Sequence, residues 1–249
     1  MTLGDYTMLP RLDTPTYELE LPVSKKQIKY RPFLVKEQRN LLMALESNDS
    51  SSTQNAIRDI LNNCTITEDI DIDKLPIVDI EYYFLNLRAK SIGEIVESRY
   101  RCNNVVEGNE CGNIMEKNID LNQIKVDIPE GIDPEIKLSS KIIIKMKYPE
   151  FGVVKDSLKF DNINEITFNM IAASIEYIYD TIEEKFYYDH EAQPGEMLEF
   201  VESMNQEQFA KVENFFNELP RLKESVNIKC SKCGFDHTIE VEGLESFFG

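Results

Sequence analysis

The spacing of apolar residues changes character several times along the chain. Residues 1–15 keep no period and contain Pro10 and Pro15, which break regular structure. Tyr17, Leu19, Leu21 and Val23 then alternate with Thr16, Glu18 and Glu20, a period of two that predicts a half-buried strand. Residues 26–31 predict a partner strand, stopped by Pro32. From Phe33 to Glu46 the chain is rich in Leu, Met and Ala and predicts a helix. A polar linker is expected over 47–53, and a second helix over 55–64, with Ile57, Ile60 and Leu61 on one side. Pro76 stands at a favoured early position of a third helix, whose stripe is Ile77, Ile80, Phe84 and Leu87. Gly93 ends it.

Beyond Gly93 the pattern shifts to strands, expected over 94–102, 114–121, 124–128 and 141–147. Asp161 to Asn164 offer caps for a helix over about 165–179. Pro194 predicts another helix through Met204. Asn205 and Gln208 form a capping-box pattern ahead of Phe209, Val212, Phe216 and Leu219, and Pro220 stops that helix. Short strands are expected over 226–230 and 238–241. There is no internal repeat and no low-complexity tract. Strands, helices, strands, helices and strands in that order predict an α+β fold rather than a regular βαβ alternation. The expected organisation is a helical N-terminal part (1–93), a β region with a first metal knuckle (94–160), a second helical region (161–222), and a second knuckle with the C-terminal tail (223–249).

Charge narrows the function classes. Over 249 residues the net charge is −18 and the pI about 4.6. Such a field repels phosphate backbones, so generic nucleic-acid binding is not expected; it suits a basic partner. The N-terminus lacks a basic region followed by an apolar core, so no signal peptide is read there. No apolar run approaches the roughly 20 residues of a membrane span. A reducing cytoplasm is the expected compartment, where paired thiols favour metal over disulfide.

Four of the five cysteines carry the chemistry. Cys230-Ser-Lys-Cys233-Gly234 is a thiolate knuckle: a two-residue gap lets both sulfurs reach one ion, and the glycine permits the reverse turn. Cys102 and Cys111 also end in Cys-Gly, but serve as a pair only if the polar segment 103–110 loops out. Together they predict a closed, structural Zn²⁺ site with no open position for catalysis. Unligated thiols, or His237 in place of one cysteine, are the alternatives. Arg99, Arg101, Lys229 and Lys232 read as local balance for an anionic cluster. Cys64 reads as a small core residue on its helix.

Other constellations are weaker. Glu68 to Asp73 spaces carboxylates like the start of a calcium loop, yet Lys74 stands where the glycine belongs and Ile80 where the bidentate glutamate belongs. Asp189, His190 and Glu191 are only neighbours in sequence, and no nucleophile elbow or phosphate loop is present, so no enzymatic activity is expected. The aromatic clusters 82–84, 177–179, 186–188 and Phe247-Phe248 have two readings, core packing or an apolar docking surface ringed by acids.

Two segments carry a family resemblance. Lys29-Tyr-Arg-Pro-Phe-Leu-Val-Lys-Glu37 with Leu41-Leu-Met-Ala-Leu-Glu-Ser47, and Leu75-Pro-Ile-Val-Asp-Ile-Glu-Tyr-Tyr-Phe-Leu85 running into Leu87-Arg-Ala-Lys-Ser-Ile-Gly-Glu94, resemble the T4-type phage baseplate protein family. The match covers roughly residues 20–100. That family includes a hub subunit and a hub assembly catalyst of the contractile tail. The resemblance implies a non-enzymatic part in building the baseplate hub, in the host cytoplasm during tail assembly or in the virion baseplate. Hub proteins and the tape measure protein are the implied partners. An assembly chaperone, a permanent hub subunit and, from another class, a zinc-ribbon regulator contacting nucleic acid are the readings carried forward. The charged motif residues Arg31, Lys36, Glu37, Glu81, Arg88 and Lys90 read either as internal ion pairs or as a docking surface.

Overall fold

The computed structural model describes residues 12–47, 49–157 and 162–242. The alternating N-terminal stretch forms a hairpin of β1 (Tyr17–Glu20) and β2 (Gln27–Tyr30). Helices α1 (Val35–Glu46), α2 (Ser50–Cys64) and α3 (Ile77–Ser91) follow. The expected linker is shorter than its composition suggests. Asp49 accepts the N–H groups of Ser51 and Ser52, so the serines that read as linker form the first turn of α2. At α1 the Glu37 carboxylate reaches back to the Leu34 N–H at 2.6 Å and also takes the Arg31 guanidinium at 3.1 Å. The carboxyl of Glu37 is buried, which alone would raise its pKa; these partners outweigh burial and hold it below the usual carboxylate range.

α3 is the pivot of the molecule, and both of its long faces are buried. Ile80, Tyr83, Phe84 and Leu87 close a core with Leu21, Ile28, Tyr30, Ile57, Ile60 and Leu61. Leu85 and Ala89, on the other side, enter a second core with Val96, Ile119, Leu222, Val226 and Val241. The sequence stripe captures only the first face. Asp79 is fully buried and accepts the N–H groups of Val23 and Ser24, each at 2.8 Å, which anchors the β1–β2 turn to α3. Arg88 is also buried, and its guanidinium donates to the Gly93 carbonyl at 3.3 Å. Arg31, Glu37 and Arg88 of the charged motif set thus serve internal structure.

The second core joins two ribbons. β3 (Ile95–Arg101) pairs with β6 (Ile114–Asp120), and a small hairpin of β4 (Val105–Val106) and β5 (Asn109–Glu110) sits in their connection. β12 (Arg221–Lys229) pairs with β13 (Asp236–Glu242) on one side and with β7 (Val126–Asp127) on the other.

Between the ribbons in sequence lies an antiparallel sheet of β8 (Glu135–Lys137), β9 (Ile142–Met146), β10 (Ile175–Asp180) and β11 (Lys185–Tyr188), in the order β11-β10-β9-β8. Helices α5 (Ile163–Ala173), α6 (Glu196–Glu202) and α7 (Gln206–Asn217) cover one face, through Ile171, Val201, Val212 and Phe215. The helix expected over 165–179 ends early: Ser174 closes α5, and Ile175-Glu-Tyr-Ile-Tyr continues as β10. Its β-branched and aromatic residues pair with β9 and β11, so tertiary pairing overrides the local helical period. The capping box at Asn205 and Gln208 forms as the spacing predicts. Helix α4 (Phe151–Ser157), which the pattern did not signal, returns Phe151 to the first core. Gly152 permits this approach, since a Cβ there would lie 3.1 Å from the Asp73 backbone oxygen. Among the described residues no helix is long and apolar enough to cross a membrane.

Candidate metal centre

The tips of the two ribbons have the same construction. In the second, the β12–β13 ladder ends at Lys229 opposite Asp236; the Cys230 N–H donates to the Phe235 carbonyl at 2.8 Å and the Gly234 N–H to the Cys230 carbonyl at 2.9 Å. In the first, the β3–β6 ladder ends at Arg101 opposite Ile114; the Cys102 N–H donates to the Asn113 carbonyl at 2.8 Å and the Gly112 N–H to the Cys102 carbonyl at 3.0 Å. Gly112 and Gly234 take φ values of 63° and 73°, the left-handed region in which glycine carries no Cβ penalty. Cys102, Cys111 and Gly112 therefore correspond to Cys230, Cys233 and Gly234.

The wide spacing of the first pair has a simple cause. Residues 103–110 occupy the place of Ser231 and Lys232 and fold on themselves as β4 and β5. Glu107 and Gly108 both have positive φ, 52° and 84°, as a two-residue hairpin turn of the favoured twist requires. The insertion leaves the ribbon axis and returns Cys111 beside Cys102.

The structure brings all four predicted sulfurs together, within 4.8 Å of one another. Cys102 Sγ lies 3.6 Å from Cys233 Sγ, and Cys111 Sγ lies 3.8 Å from Cys230 Sγ. A tetrahedron with metal–sulfur bonds of about 2.3 Å has sulfur–sulfur edges of about 3.8 Å. A disulfide needs about 2.05 Å, so these contacts are not covalent. Cys102, Cys111 and Cys230 are buried and Cys233 is half-buried. The donor set can hold one tetrahedral ion, with the whole coordination shell supplied by protein.

The surroundings favour anionic sulfur at the second knuckle and neutral sulfur at Cys102. The backbone N–H of Cys233, with that of Lys232, pulls the Cys230 thiol down to about 6 against the cost of burial. The Phe235 N–H likewise lowers Cys233. Desolvation pushes Cys102 up to about 12, and the three neighbouring sulfurs reinforce it. Four crowded thiols cannot all ionise by themselves; a divalent cation at their centre reverses that balance.

Further donors complete the shell. The Asn104 side-chain amide lies 3.6 Å from Cys233 Sγ, and that of Asn113 lies 3.5 Å from Cys230 Sγ. Each asparagine stands two residues after a cysteine of the first pair and reaches a sulfur of the second, so the amides as well as the sulfurs link the two ribbons. The sequence reading missed both; the repeated Cys-x-Asn spacing is the signal that would have found them. Lys232 Nζ donates to the Cys111 carbonyl at 3.0 Å. His237, on β13, places Nε2 3.2 Å from Cys102 Sγ and packs edge-on to Phe235. It stands beside the sulfur cluster as a hydrogen-bond partner of one sulfur.

The remaining candidates go elsewhere. Cys64 is fully buried in the first core, and burial pushes its thiol up to about 11. Asp189 pairs with Lys147 at 2.6 Å and accepts the His190 N–H, which makes this segment a loop brace. Asp71 caps the short turn at 72–74, and Asp73 faces Arg58 at 3.8 Å, so the acidic loop organises itself. Tyr83 and Phe84 are core residues, whereas Phe186 and Tyr187 are exposed. Phe247 and Phe248 lie outside the described residues.

Comparison with known proteins gives a consistent result. A family model described as "T4 bacteriophage base plate protein" matches residues 14–249. A protein described as "Baseplate hub assembly protein gp26", from Enterobacteria phage T4, is 25% identical over 244 residues, covering 93% of this chain and 97% of the relative. No solved structure matches.

Proposed function

This chain belongs to the T4 bacteriophage base plate protein family, and from that premise we propose that it is a non-enzymatic assembly factor for the baseplate hub of a contractile phage tail. It binds hub components, or the tape measure protein, and releases them without a chemical step. The observation that carries this reading is the family match over residues 14–249, and the description of the T4 relative as a hub assembly protein points the same way. The net charge of −18 supports a binding role, because it favours basic protein surfaces and repels nucleic acid.

In this reading Cys102, Cys111, Cys230 and Cys233 hold one structural Zn²⁺. The ion supplies a cross-link and no open coordination position. Asn104, Asn113 and His237 orient the sulfurs, as outer-shell groups commonly do. The joined ribbons then present a rigid body, anchored on α3, to the partner.

Co-expression with the other hub proteins and the tape measure protein, followed by pull-down and mass spectrometry, tests the function. Co-purification of one of them is expected; recovery of the chain alone would refute the assignment. Quantitative mass spectrometry of purified virions separates the two roles within it. An assembly factor is absent or far below stoichiometry there, and a permanent hub subunit is present at full stoichiometry.

A further inference from the structure

A cleft far from the cysteines in sequence is unused by the metal reading. It lies between α6 and the outermost strand of the four-stranded sheet, β11, which among the described residues has a partner only on its β10 side. Its volume is about 460 Å³, within the range of about 300–1,000 Å³ typical of built binding clefts. Ile142, Ile178, Met197 and Phe200 give it an apolar lining, and Glu191 and Glu196 stand among its polar residues. Tyr187, opposite Ile178 in the sheet and on the same face, is 39% exposed, whereas Phe186 turns to the other face and stacks on Tyr179.

The charge around the cleft is mostly negative, although Lys185 lines it and Lys145 and Lys147 pair with Glu176 and Asp189. Residues 176–202 contain nine carboxylates and a single lysine. That lysine, Lys185, lies over the Tyr187 ring at 4.4 Å from its centroid. An apolar trough rimmed by anions complements a segment with an apolar stripe and cationic flanks. It does not complement itself, because two copies would bring like charges together.

We propose that this cleft docks a cationic amphipathic segment of a protein partner. Its apolar side chains sit on Ile178, Met197 and Phe200, and its lysines or arginines face Glu191 and Glu196. The existence of such a partner rests on the hub-assembly reading; the chemistry of the segment rests on the cleft.

The test uses the full-length protein and a fluorescently labelled helical peptide of leucine and lysine, read by anisotropy. A leucine–glutamate peptide of the same period and a leucine–lysine peptide with its order shuffled serve as controls. The amphipathic cationic peptide is expected to bind and the two controls to bind at least about tenfold more weakly, with affinity falling as salt rises. E191K/E196K and Y187A are each expected to weaken binding about tenfold or more, with the circular dichroism spectrum and Tm retained. E46K/E68K makes the same change in net charge on distant exposed residues, and it should leave affinity within about twofold. Equal loss in E46K/E68K would show a general field rather than a site and would overturn the proposal, as would indifference of the peptide to both cleft variants. A dimer in sedimentation that E191K/E196K dissolves, without peptide binding, would assign the cleft to a second copy instead. In the hub pull-down, E191K/E196K should lose the partner. If the partner is retained, the cleft proposal fails and the assembly role stands; if wild type captures nothing, the assembly role fails whatever the peptide does.

Discussion

Two regions of this molecule are held closed in different ways. Among the described residues the N-terminal layer buries sixteen side chains in one cluster, including Tyr30, Tyr83, Phe84 and Phe151. The ribbon tips bury, among the described residues, only Met115 and three cysteines, with Tyr100, Ile228 and Cys233 partly buried against them. Burial of large apolar side chains at about 1.5–3 kcal/mol each can hold the first region without help. The second has too little apolar surface for that, and sulfur donors stand where a core would be. If the sulfurs hold the proposed ion, the contrast teaches that a metal cross-link can stand in for a core at the ribbon tips.

The largest effect that could break this contrast is metal removal. Structural zinc contributes about 10–16 kcal/mol of apparent binding energy in small zinc domains. Chelation, or C230S, is expected to abolish hydrogen-exchange protection at the tips of β3–β6 and β12–β13 while α2 and α3 stay protected. Uniform loss, or no loss at all, would mean the two regions are not held differently. The two faces of α3 come next. F84A should cost about 3–5 kcal/mol and L85A about 2–5 kcal/mol. Urea melts with exchange readout should place the first loss mainly around α2 and the hairpin, and the second mainly at the ribbons. The same pattern from both variants would merge the two cores into one.

How far this architecture can be read from the chain depends on where punctuation falls. α3 is legible because Pro76 opens it, Gly93 closes it and the apolar stripe between them is regular. Its second face is not, because Leu85 and Ala89 gain meaning only once the ribbons pack there. The 175–180 strand is hidden for the opposite reason: Ser174 is a weak boundary, no glycine or proline separates it from α5, and pairing with β9 decides its state. At the candidate centre the Cys-Gly pairs were visible, and so was a looped-out 103–110. The equivalence of the two knuckles appears only when Glu107 and Gly108 are seen to turn the insertion back. Asp79 could not be assigned from sequence, since its ligands are backbone N–H groups of Val23 and Ser24, 56 and 55 residues away.

A smaller effect sharpens the N-terminal side. Glu37 is held below its ordinary pKa, so its stabilising contribution is present above the unfolded value of about 4.3 and is lost as pH falls through the folded value. Denaturation at stepped pH should show wild type losing stability in this acid range, with that part of the slope missing in E37Q. E37Q should also cost about 1.5–3 kcal/mol at neutral pH. An unchanged slope would remove the Arg31–Glu37 pair from the account. The smallest effect belongs to His237. H237A is expected to weaken metal affinity about tenfold while the cobalt-substituted protein keeps a four-sulfur absorption spectrum. A spectrum that changes ligand class would make His237 a ligand in place of a cysteine.

Native mass spectrometry of the purified full-length protein tests the metal clamp most directly. The account predicts a folded charge-state envelope heavier than the bare chain by one zinc ion, and C102S and C230S variants without that increment. A folded wild-type protein with the mass of the bare chain alone would contradict it.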